Sequence, residues 1–563
     1  MRWALLSGCA ALGAASDRPA LAQALLTAPP PPTAGQVTPR SIAPENKQPT
    51  AVPTIDLAPM RVPDGADALF FTPLHIVVEG SFGAPDPAAA IVRAIEGRRI
   101  SVADFYAAAS AIERAFAQAG YPLVRVVVPA QRLLDGAEAH LVVVDGFVES
   151  IGLDGVAPSL RRPMRRYLGP LIGKRHLHYA ELERRLTLAG DVPGTTIRST
   201  LAHGTKPGGV RLVIEARRKL MSASLSFDNR QSASFRRRST TLQASLNSPL
   251  GIGEQAYAYL SADPWHGTGI LNARSPRTSF GGGLYLPLGS DGLKLNVEAT
   301  RSITRPIGGL FATRDVFMRY AWRLSYPVVR TRAETLTVTA GFELSNEANA
   351  APDFGVDLSR DHFRIARLSG DYSTRVPLGL LTLGATLTSG FGDRPTPDAP
   401  PSRAGTTPHF TKLEGDASLS RWFPLGVMAV ATARGQVLLH GGPPSGELFS
   451  LDGTDALAAF TSGALSAEEG YTGRFELRRP IDLRSAIDVT PFCYVAAGHA
   501  HYRVRNFYDP SFASAWGGGV EVDLHPHGSA LSAYTTVEYG RQHTNGVFFV
   551  RDDRISVAAG ARF

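Results

Sequence analysis

Strict alternation of apolar and polar residues begins after Arg218 and continues towards the C-terminus. In residues 293–300 the odd-numbered positions are apolar and the even-numbered positions are polar or charged, and residues 335–344 repeat the pattern in the opposite phase. A period of two is typical of strands whose faces meet different environments. A soluble β-sandwich would also alternate. However, roughly 345 residues at about 20 residues per strand and turn favour a large, even-stranded transmembrane barrel.

Composition alone does not distinguish such a barrel from a soluble protein. The mean hydropathy is -0.04, but lipid-facing and lumen-facing residues cancel in any average over a barrel. After the N-terminus the sequence has no apolar run of about 20 residues, so a helical span is not expected. The net charge of +8 is spread along the chain, apart from a cluster at 236–238. Anionic lipid headgroups therefore fit this charge better than nucleic acid does.

The N-terminus carries the pattern of an export signal. Arg2 precedes an apolar run, and residues 20–22 read Ala-Leu-Ala, so we expect a cleaved signal over residues 1–22. Cys9, in Leu-Ser-Gly-Cys, resembles a lipoprotein processing site, but the segment before it is short for a charged start plus an apolar core. Cys9 and Cys493 are the only cysteines in the sequence, so the mature chain would hold one thiol and no internal disulfide.

A proline-rich stretch and two small modules separate the signal from the alternating region. Residues 28–63 have no sustained periodicity, which predicts an extended linker over 23–70. The first module, 71–146, combines strand-like runs with a helix that begins at a capping-box pattern, Ser101 to Asp104. The second module, 147–217, repeats the helix-and-strand order. Neither has a catalytic constellation, and His176 and His178 are more often surface residues than metal ligands. We therefore expect no enzymatic activity, metal or cofactor.

Several short stretches resemble one family of bacterial proteins. They are 119–125 (Ala-Gly-Tyr-Pro-Leu-Val-Arg), 188–194 (Leu-Ala-Gly-Asp-Val-Pro-Gly), 225–230 (Leu-Ser-Phe-Asp-Asn-Arg) and 247–253 (Asn-Ser-Pro-Leu-Gly-Ile-Gly). Together with the order of segments, they resemble the two-partner secretion transporters, the haemolysin-activator-like proteins of Gram-negative bacteria. The resemblance implies two periplasmic POTRA modules of mixed α+β structure before an outer-membrane barrel, 218–563, of about 16 antiparallel strands. The fold would be mainly β.

The resemblance also implies a function and partners. Members bind an unfolded exoprotein in the periplasm and pass it through the barrel to the cell surface. The C-terminal Phe563, in phase with Ile555 and Val557, implies recognition by the barrel-assembly machinery, and the outer membrane supplies lipid and lipopolysaccharide contacts. A factor that assembles other membrane proteins would normally carry more than two modules. A degenerate pore with a role in adhesion or permeability is the other alternative.

The family has a long loop that folds into the barrel and carries a Val-Arg-Gly-Phe/Tyr tip. Here the tip positions hold Leu457, Ala458, Ala459 and Phe460. In the family the arginine pairs with an aspartate on a barrel strand, in a stretch matched here by 494–498, which contains Ala496 and Gly498. Loss of one partner from a buried ion pair typically costs about 3–5 kcal/mol, whereas loss of both is often tolerated. The paired change suggests compensation, so we expect the loop still to enter the lumen.

A candidate docking site for the exoprotein lies in the first module. An exposed sheet edge offers unpaired N–H and C=O groups that an extended peptide can complete. We predict such an edge in one apolar run: Leu123, Val124, Arg125, Val126, Val127 and Val128. The alternative, left open by the sequence, is that this run belongs to the core of the module.

Overall fold

The structure is a computed structural model that describes residues 31–44, 62–83, 86–263, 275–393, 400–483, 486–503, 512–526, 529–545 and 553–563. The predicted signal, 1–22, and parts of the predicted linker, 23–30 and 45–61, lie outside the described residues.

The first module packs two helices against a small sheet. Its elements are β1 (Phe70–Phe71), β2 (His75–Glu79), α1 (Ala89–Ile95), β3 (Ile100–Ser101), α2 (Val102–Gln118), β4 (Arg125–Val127) and β5 (Glu138–Val144). The sheet order is β2-β5-β4, with β2 parallel and β4 antiparallel to β5. The predicted capping box is confirmed, because the Ser101 hydroxyl accepts the Asp104 N–H at 3.0 Å while the Asp104 carboxylate accepts the Ser101 N–H. Phe105, Ile112 and Phe116 on α2 are buried in the core.

The second module has a similar arrangement. It contains β6 (Phe147–Val156), α3 (Pro158–Leu168), α4 (Tyr179–Gly190), β7 (Thr195–His203) and β8 (Gly209–Arg218). The sheet order is β6-β8-β7, and β8 is parallel to β6 and antiparallel to β7. Leu160 and Leu168 of α3 and Leu212 of β8 are buried in its core. The prediction of a mixed helix-and-strand module is confirmed.

The rest of the described chain forms a closed antiparallel barrel. Its elements are β9 (Met221–Asp228), β10 (Ser239–Asn247), β11 (Gln255–Ala262), β12 (Arg277–Leu288), β13 (Leu293–Thr304), β14 (Arg314–Arg330), β15 (Glu334–Ala351), β16 (Val356–Val376), β17 (Gly379–Gly392), β18 (His409–Phe423), β19 (Val427–His440), β20 (Phe449–Ser450), β21 (Ser466–Ala467), β22 (Glu469–Arg478), β23 (Ile481–Asp482), β24 (Ile487–His501), β25 (Phe512–Leu524), β26 (Ser532–Thr544) and β27 (Asp553–Arg562). β22 and β23 pair with β24 in one continuous register and count as one wall strand, so the barrel has 16 strands, as predicted. β20 and β21 are not wall strands, because they pair only with each other in the loop between β19 and β22. The last strand, β27, closes the barrel by pairing with β9.

The two faces of the barrel wall reverse the usual burial pattern of a soluble protein. Along β14 the outward residues Tyr320, Trp322 and Leu324 are exposed, at 40%, 39% and 44%. Along β13 the polar residues Asn296 and Glu298 are buried and face the lumen. An apolar exterior around a polar interior is what a lipid-spanning barrel requires, so the alternation does not come from a soluble sandwich. Among the described helices, none combines the length and apolar character needed to cross a bilayer.

The second module is fixed to one mouth of the barrel. Arg330, at the end of β14, pairs with Asp191 through hydrogen bonds of 2.6 and 2.8 Å. Arg218 at the module boundary donates to the Ser159 hydroxyl at 2.6 Å and to the Ser248 carbonyl at 2.7 Å. The first module in turn contacts the second through aromatic rings, with Phe82 lying 4.1 Å from the His176 ring. The second module therefore contacts both the barrel mouth and the first module.

Candidate functional site: the barrel lumen

Two separate parts of the chain occupy the barrel lumen. The first is the N-terminal segment, residues 31–44, which belongs to the stretch predicted as an extended linker. The second is the lumen loop, residues 441–468, between β19 and β22. The two touch each other: a Cβ built on Gly446 would lie 3.4 Å from Gly35 Cα, and one built on Gly463 would lie 2.6 Å from Pro32 Cγ. The prediction of an extended chain is wrong for residues 34–37, which form a turn in which the Val37 N–H donates to the Thr33 carbonyl at 3.3 Å. Proline content also does not reveal that part of this stretch binds the barrel wall.

The tip of the lumen loop packs into an apolar cluster against the barrel wall. The loop members are Phe449, Leu451, Leu457, Ala458, Ala459, Phe460, Leu465 and Ala467, and the wall members include Phe492, Tyr494, Ala496, Ala500, Ala513 and Ala515. Ala458 and Ala496, the two alanines that the sequence comparison predicted to face each other, thus belong to one cluster. Gly498 gives the loop room to approach, since a Cβ there would lie 3.1 Å from Leu451 Cδ2.

Arginines of the barrel wall hold the backbone of this loop. Arg434 on β19 donates to the Asp452 carbonyl at 3.2 Å, and Arg474 on β22 approaches the Ala456 carbonyl at 3.5 Å. Arg474 is the direct cross-strand partner of Ala496, and its guanidinium carbon lies 3.7 Å from the centre of the Tyr494 ring. Sequence reasoning missed Arg474, although its lumen-facing phase in an alternating strand was a usable signal. An arginine therefore still lies beside the loop tip, but the wall supplies it.

A buried charge network fixes the base of the loop. Glu447 contacts Arg367 at 2.5 Å and Lys412 at 2.9 Å. Lys412 lies 3.6 Å from Glu414, which pairs at 2.6 Å with Arg40 of the N-terminal segment. Each buried charge has an opposite charge beside it, as low-dielectric surroundings require. The network connects loop, wall and N-terminal segment.

The predicted docking run divides between core and surface. Leu123 belongs to the core of the second module, and Val124 and Val126 belong to the core of the first. Val127 is 47% exposed, and Arg125 pairs with Glu113 of α2. The strand β4 is shorter than the predicted run, and within the described residues it pairs only with β5, so one backbone edge of β4 is not covered by another strand.

Two further groups of predicted residues occupy defined positions. His176 and His178 are both exposed and lie where the modules meet, with the Tyr121 and His178 rings 5.6 Å apart. Among the described residues, no cluster of histidine, cysteine and carboxylate side chains has the arrangement of a metal site. Phe563 continues the barrel seam beyond β27: its N–H donates to the Ala223 carbonyl at 2.8 Å, and its carbonyl accepts the Ala223 N–H at 2.9 Å.

Comparison with known proteins gives matches to families and to solved structures. Residues 208–524 match the haemolysin secretion/activation protein family ShlB/FhaC/HecB, and residues 71–146 match the ShlB-type POTRA domain. The chain is similar to CdiB from Escherichia coli, with a TM-score of 0.69 and 18% identity over 97% of this chain and 96% of that one. CdiB from Acinetobacter baumannii gives a TM-score of 0.60 and 13% identity over 91% and 95%. No curated protein sequence matches the chain.

Proposed function

The chain belongs to the haemolysin secretion/activation protein family ShlB/FhaC/HecB, and from this premise we propose that its exoprotein leaves the periplasm through the barrel lumen once the N-terminal segment and the lumen loop withdraw. As a member of this family, the chain is an outer-membrane transporter of a secreted exoprotein, and its POTRA modules lie in the periplasm. The transport role needs no chemical step, so we assign no enzymatic activity.

One observation supports the proposed path of the exoprotein through the barrel lumen. Much of the lumen is lined by polar side chains and is filled by two chain segments, and the apolar contacts are concentrated in one cluster around the tip of the lumen loop. Hydrogen bonds and ion pairs between such segments and a polar wall can be exchanged for those of water or of a passing polypeptide, because both alternatives satisfy the same groups. A packed apolar core offers no such exchange.

The modules are the proposed point of capture. The uncovered edge of β4 would accept an extended stretch of exoprotein by strand addition, with Val127 beside it. The second module, held to the inner mouth by Asp191 and Arg330, then keeps the captured chain next to the lumen. The barrel-assembly machinery and lipopolysaccharide are further proposed partners, the first through the C-terminal strand that ends at Phe563.

The test is secretion in a reconstituted pair. The full-length chain is expressed in a Gram-negative host together with a candidate exoprotein, a large exported protein of the same genome, and exoprotein is measured in the medium and on the cell surface. We expect export that depends on the chain, with no change in the amounts of other outer-membrane barrels. Intracellular retention of the exoprotein would overturn the proposal. A general loss of other barrels on depletion would favour the assembly-factor alternative.

A further inference from the structure

Three basic side chains lie on the lipid-facing side of β16. Arg360, His362 and Arg364 are exposed, and they alternate along the strand with buried residues such as Asp361 and Phe363. Because successive residues of a strand point to opposite faces of the wall, the buried residues face the lumen and the three basic residues face away from it. An outward face of a lipid-spanning barrel is otherwise expected to be apolar.

Two arginines of neighbouring strands share this outward face. Arg301 on β13 lies in the phase opposite to the buried, lumen-facing Glu298. Arg314, the first residue of β14, is exposed and in phase with the exposed Trp322 on the same strand. Arg301 is the cross-strand partner of Met318, which continues through β15 to His362 of β16. The basic residues therefore surround one continuous row across four strands.

This row lies near the outer edge of the membrane-spanning wall. The Tyr326 hydroxyl is 3.4 Å from Arg184 of the second module, so Tyr326 marks the edge at the periplasmic mouth. At about 3.3 Å per residue and a strand tilt of about 40°, the eight steps from Tyr326 to Met318 rise roughly 20 Å. The apolar band of such a barrel is about 25 Å tall. The row of Met318 therefore lies just inside the outer limit of the band, and Arg314 lies beyond that limit.

Three of these arginines have no opposite charge beside them. Within the described part of the chain, Arg301, Arg314 and Arg364 form no ion pair, and the buried Nε of Arg301 has no hydrogen-bond partner. A charged arginine on the lipid face costs free energy that rises with its depth in the bilayer. Arginine side chains reduce this cost by extending to the headgroup level. The positions therefore favour an anion at the headgroup level above them.

The outer ends of these strands also carry an excess of positive charge. Residues 301–314 and 351–364 contain five arginines, whereas their exposed carboxylates are those of Asp353 and Asp357. Asp357 pairs with Arg360. In the loop after β13, burial and the nearby charge of Arg314 lower the pKa of Arg305. Like charges are thus crowded here, which an anionic ligand would relieve.

The spacing of the arginines indicates a ligand with two separated anionic groups. Arg301 and Arg314 lie on β13 and β14, whereas Arg360 and Arg364 lie on β16. The three strand-to-strand steps from β13 to β16 span roughly 14 Å at about 4.8 Å each. One phosphate fits one such group of guanidinium donors. Lipopolysaccharide, the lipid of the outer leaflet, carries two phosphates on its disaccharide, and its acyl chains would lie on the exposed apolar surface of β14.

We propose that Arg301, Arg314, Arg360 and Arg364 form a site on the outer, lipid-facing wall for the two disaccharide phosphates of one lipopolysaccharide molecule. Arg301 and Arg314 bind one phosphate, and Arg360 and Arg364 bind the other. His362, whose ring is 2.8 Å from the Asn346 side chain, lies between the two groups. The inference rests on the outer-membrane location and the lipopolysaccharide contact of the proposed function, and it does not depend on the path of the exoprotein.

The first experiment uses the unaltered full-length chain in a non-ionic detergent. Phenylglyoxal modifies accessible arginine side chains, and its rate at each arginine is followed by peptide mass spectrometry. We expect rough-type lipopolysaccharide with both phosphates to slow modification at Arg301, Arg314 and Arg364, but not at Arg541. Arg541 is the matched control, because it is exposed on the outer end of β26 but pairs with Asp553. Unchanged rates at the three arginines would overturn the site.

The second experiment measures the affinity of variants for the same lipopolysaccharide. Arg301→Gln, Arg314→Gln and Arg364→Gln are combined, and we expect Kd to rise at least about tenfold, because three charge-assisted contacts are lost. The control combines Arg375→Gln, Arg421→Gln and Arg541→Gln, which remove the same charge from exposed positions away from the site. Equal weakening in both chains would show general attraction of anions and overturn the site. Heat-modifiable migration verifies that each barrel is folded.

The choice of ligand distinguishes the sources of phosphate. Dephosphorylated lipopolysaccharide and phosphatidylglycerol should protect the arginines less than the parent lipid, and inorganic phosphate should not protect them at the same phosphate concentration. Equal protection by any of the three would overturn a site for the two phosphates of lipopolysaccharide. Exoprotein secretion is measured separately: a chain that binds the lipid but exports nothing would overturn the proposed function and leave the site in place.

Discussion

At the scale of single residues, the lumen loop is held by apolar contacts of its tip and by wall arginines that bind its backbone. The apolar tip of Leu457 and Phe460 is buried, and Ala458 and Ala496 join the same cluster. Two small side chains leave space for the ring of Tyr494, over which Arg474 lies. The charge at this site lies on the wall, where Arg474 is ion-paired with Glu476.

A double-mutant cycle tests this arrangement. Ala458→Arg should be harmful, because it adds a buried charge near Arg474 and its partner site is an alanine, and we expect a loss of about 3–5 kcal/mol in the free energy of unfolding. Ala458→Arg with Ala496→Asp should recover most of that loss, since the new carboxylate can pair with the new guanidinium. Unfolding in detergent and exoprotein secretion are measured for all four chains. A coupling energy near zero would mean that the two positions do not interact.

At the scale of elements, helix α2 depends on its capping box. The Ser101 N–H and hydroxyl hydrogen-bond to the Asp104 carboxylate and lower its pKa below the ordinary value of 3.8. A lowered folded-state pKa contributes stability that is complete above the unfolded pKa and is lost as pH falls through the folded one. Acid should therefore loosen the start of α2 first. Hydrogen exchange of its first-turn amides below about pH 4 measures this, and Asp104→Asn should flatten the pH dependence without abolishing the helix.

The edge of β4 gives a second prediction at this scale. Val127→Asp should reduce exoprotein capture, because it places a charge where an added strand would pack, while the module stays folded since Val127 is 47% exposed. Val62→Asp is the matched control, at the same exposure of 47% in the chain just before the module. Pull-down of the exoprotein on the full-length chain compares the two. Equal capture by both variants would assign the docking site elsewhere.

Some elements of the structure could be predicted from the sequence, and others could not. Local sequence patterns were sufficient to predict α2, because its cap and core residues are close together in sequence. They were also sufficient to predict the barrel, because its alternation of apolar and polar residues extends over many strands. The binding of 31–44 in the lumen was not predictable, because its partners, such as Asp315 and Glu347, are about three hundred residues away in sequence. Arg474 is a different case, because it lies only 18 residues from Ala456 and its lumen-facing phase was a usable signal. Long-range polar pairing has no local periodicity to reveal it.

At the scale of the whole molecule, barrel closure predicts heat-modifiable migration. Each barrel strand pairs on both sides, and β27 closes onto β9, so no strand edge is left from which unfolding can start. The unboiled chain should migrate faster than the boiled chain in detergent gels, as a compact barrel. Identical migration of both samples would contradict a closed barrel.

The last prediction concerns the contact between the second module and the barrel mouth. Asp191 and Arg330 are mostly buried, with side-chain exposures of 15% and 7%, and removal of one charge leaves the other uncompensated, at a cost of about 3 kcal/mol. Asp191→Asn should therefore loosen the second module from the inner mouth, raise protease sensitivity near residue 218 and lower exoprotein secretion, while heat-modifiable migration is retained. Asp154→Asn on the same module is the matched control, because its pair with Arg211 is exposed at 88% and 47% and such surface pairs contribute about 1 kcal/mol or less. If Asp191→Asn secretes as well as Asp154→Asn despite a mobile module, then rigid alignment of the modules with the lumen is not required for export.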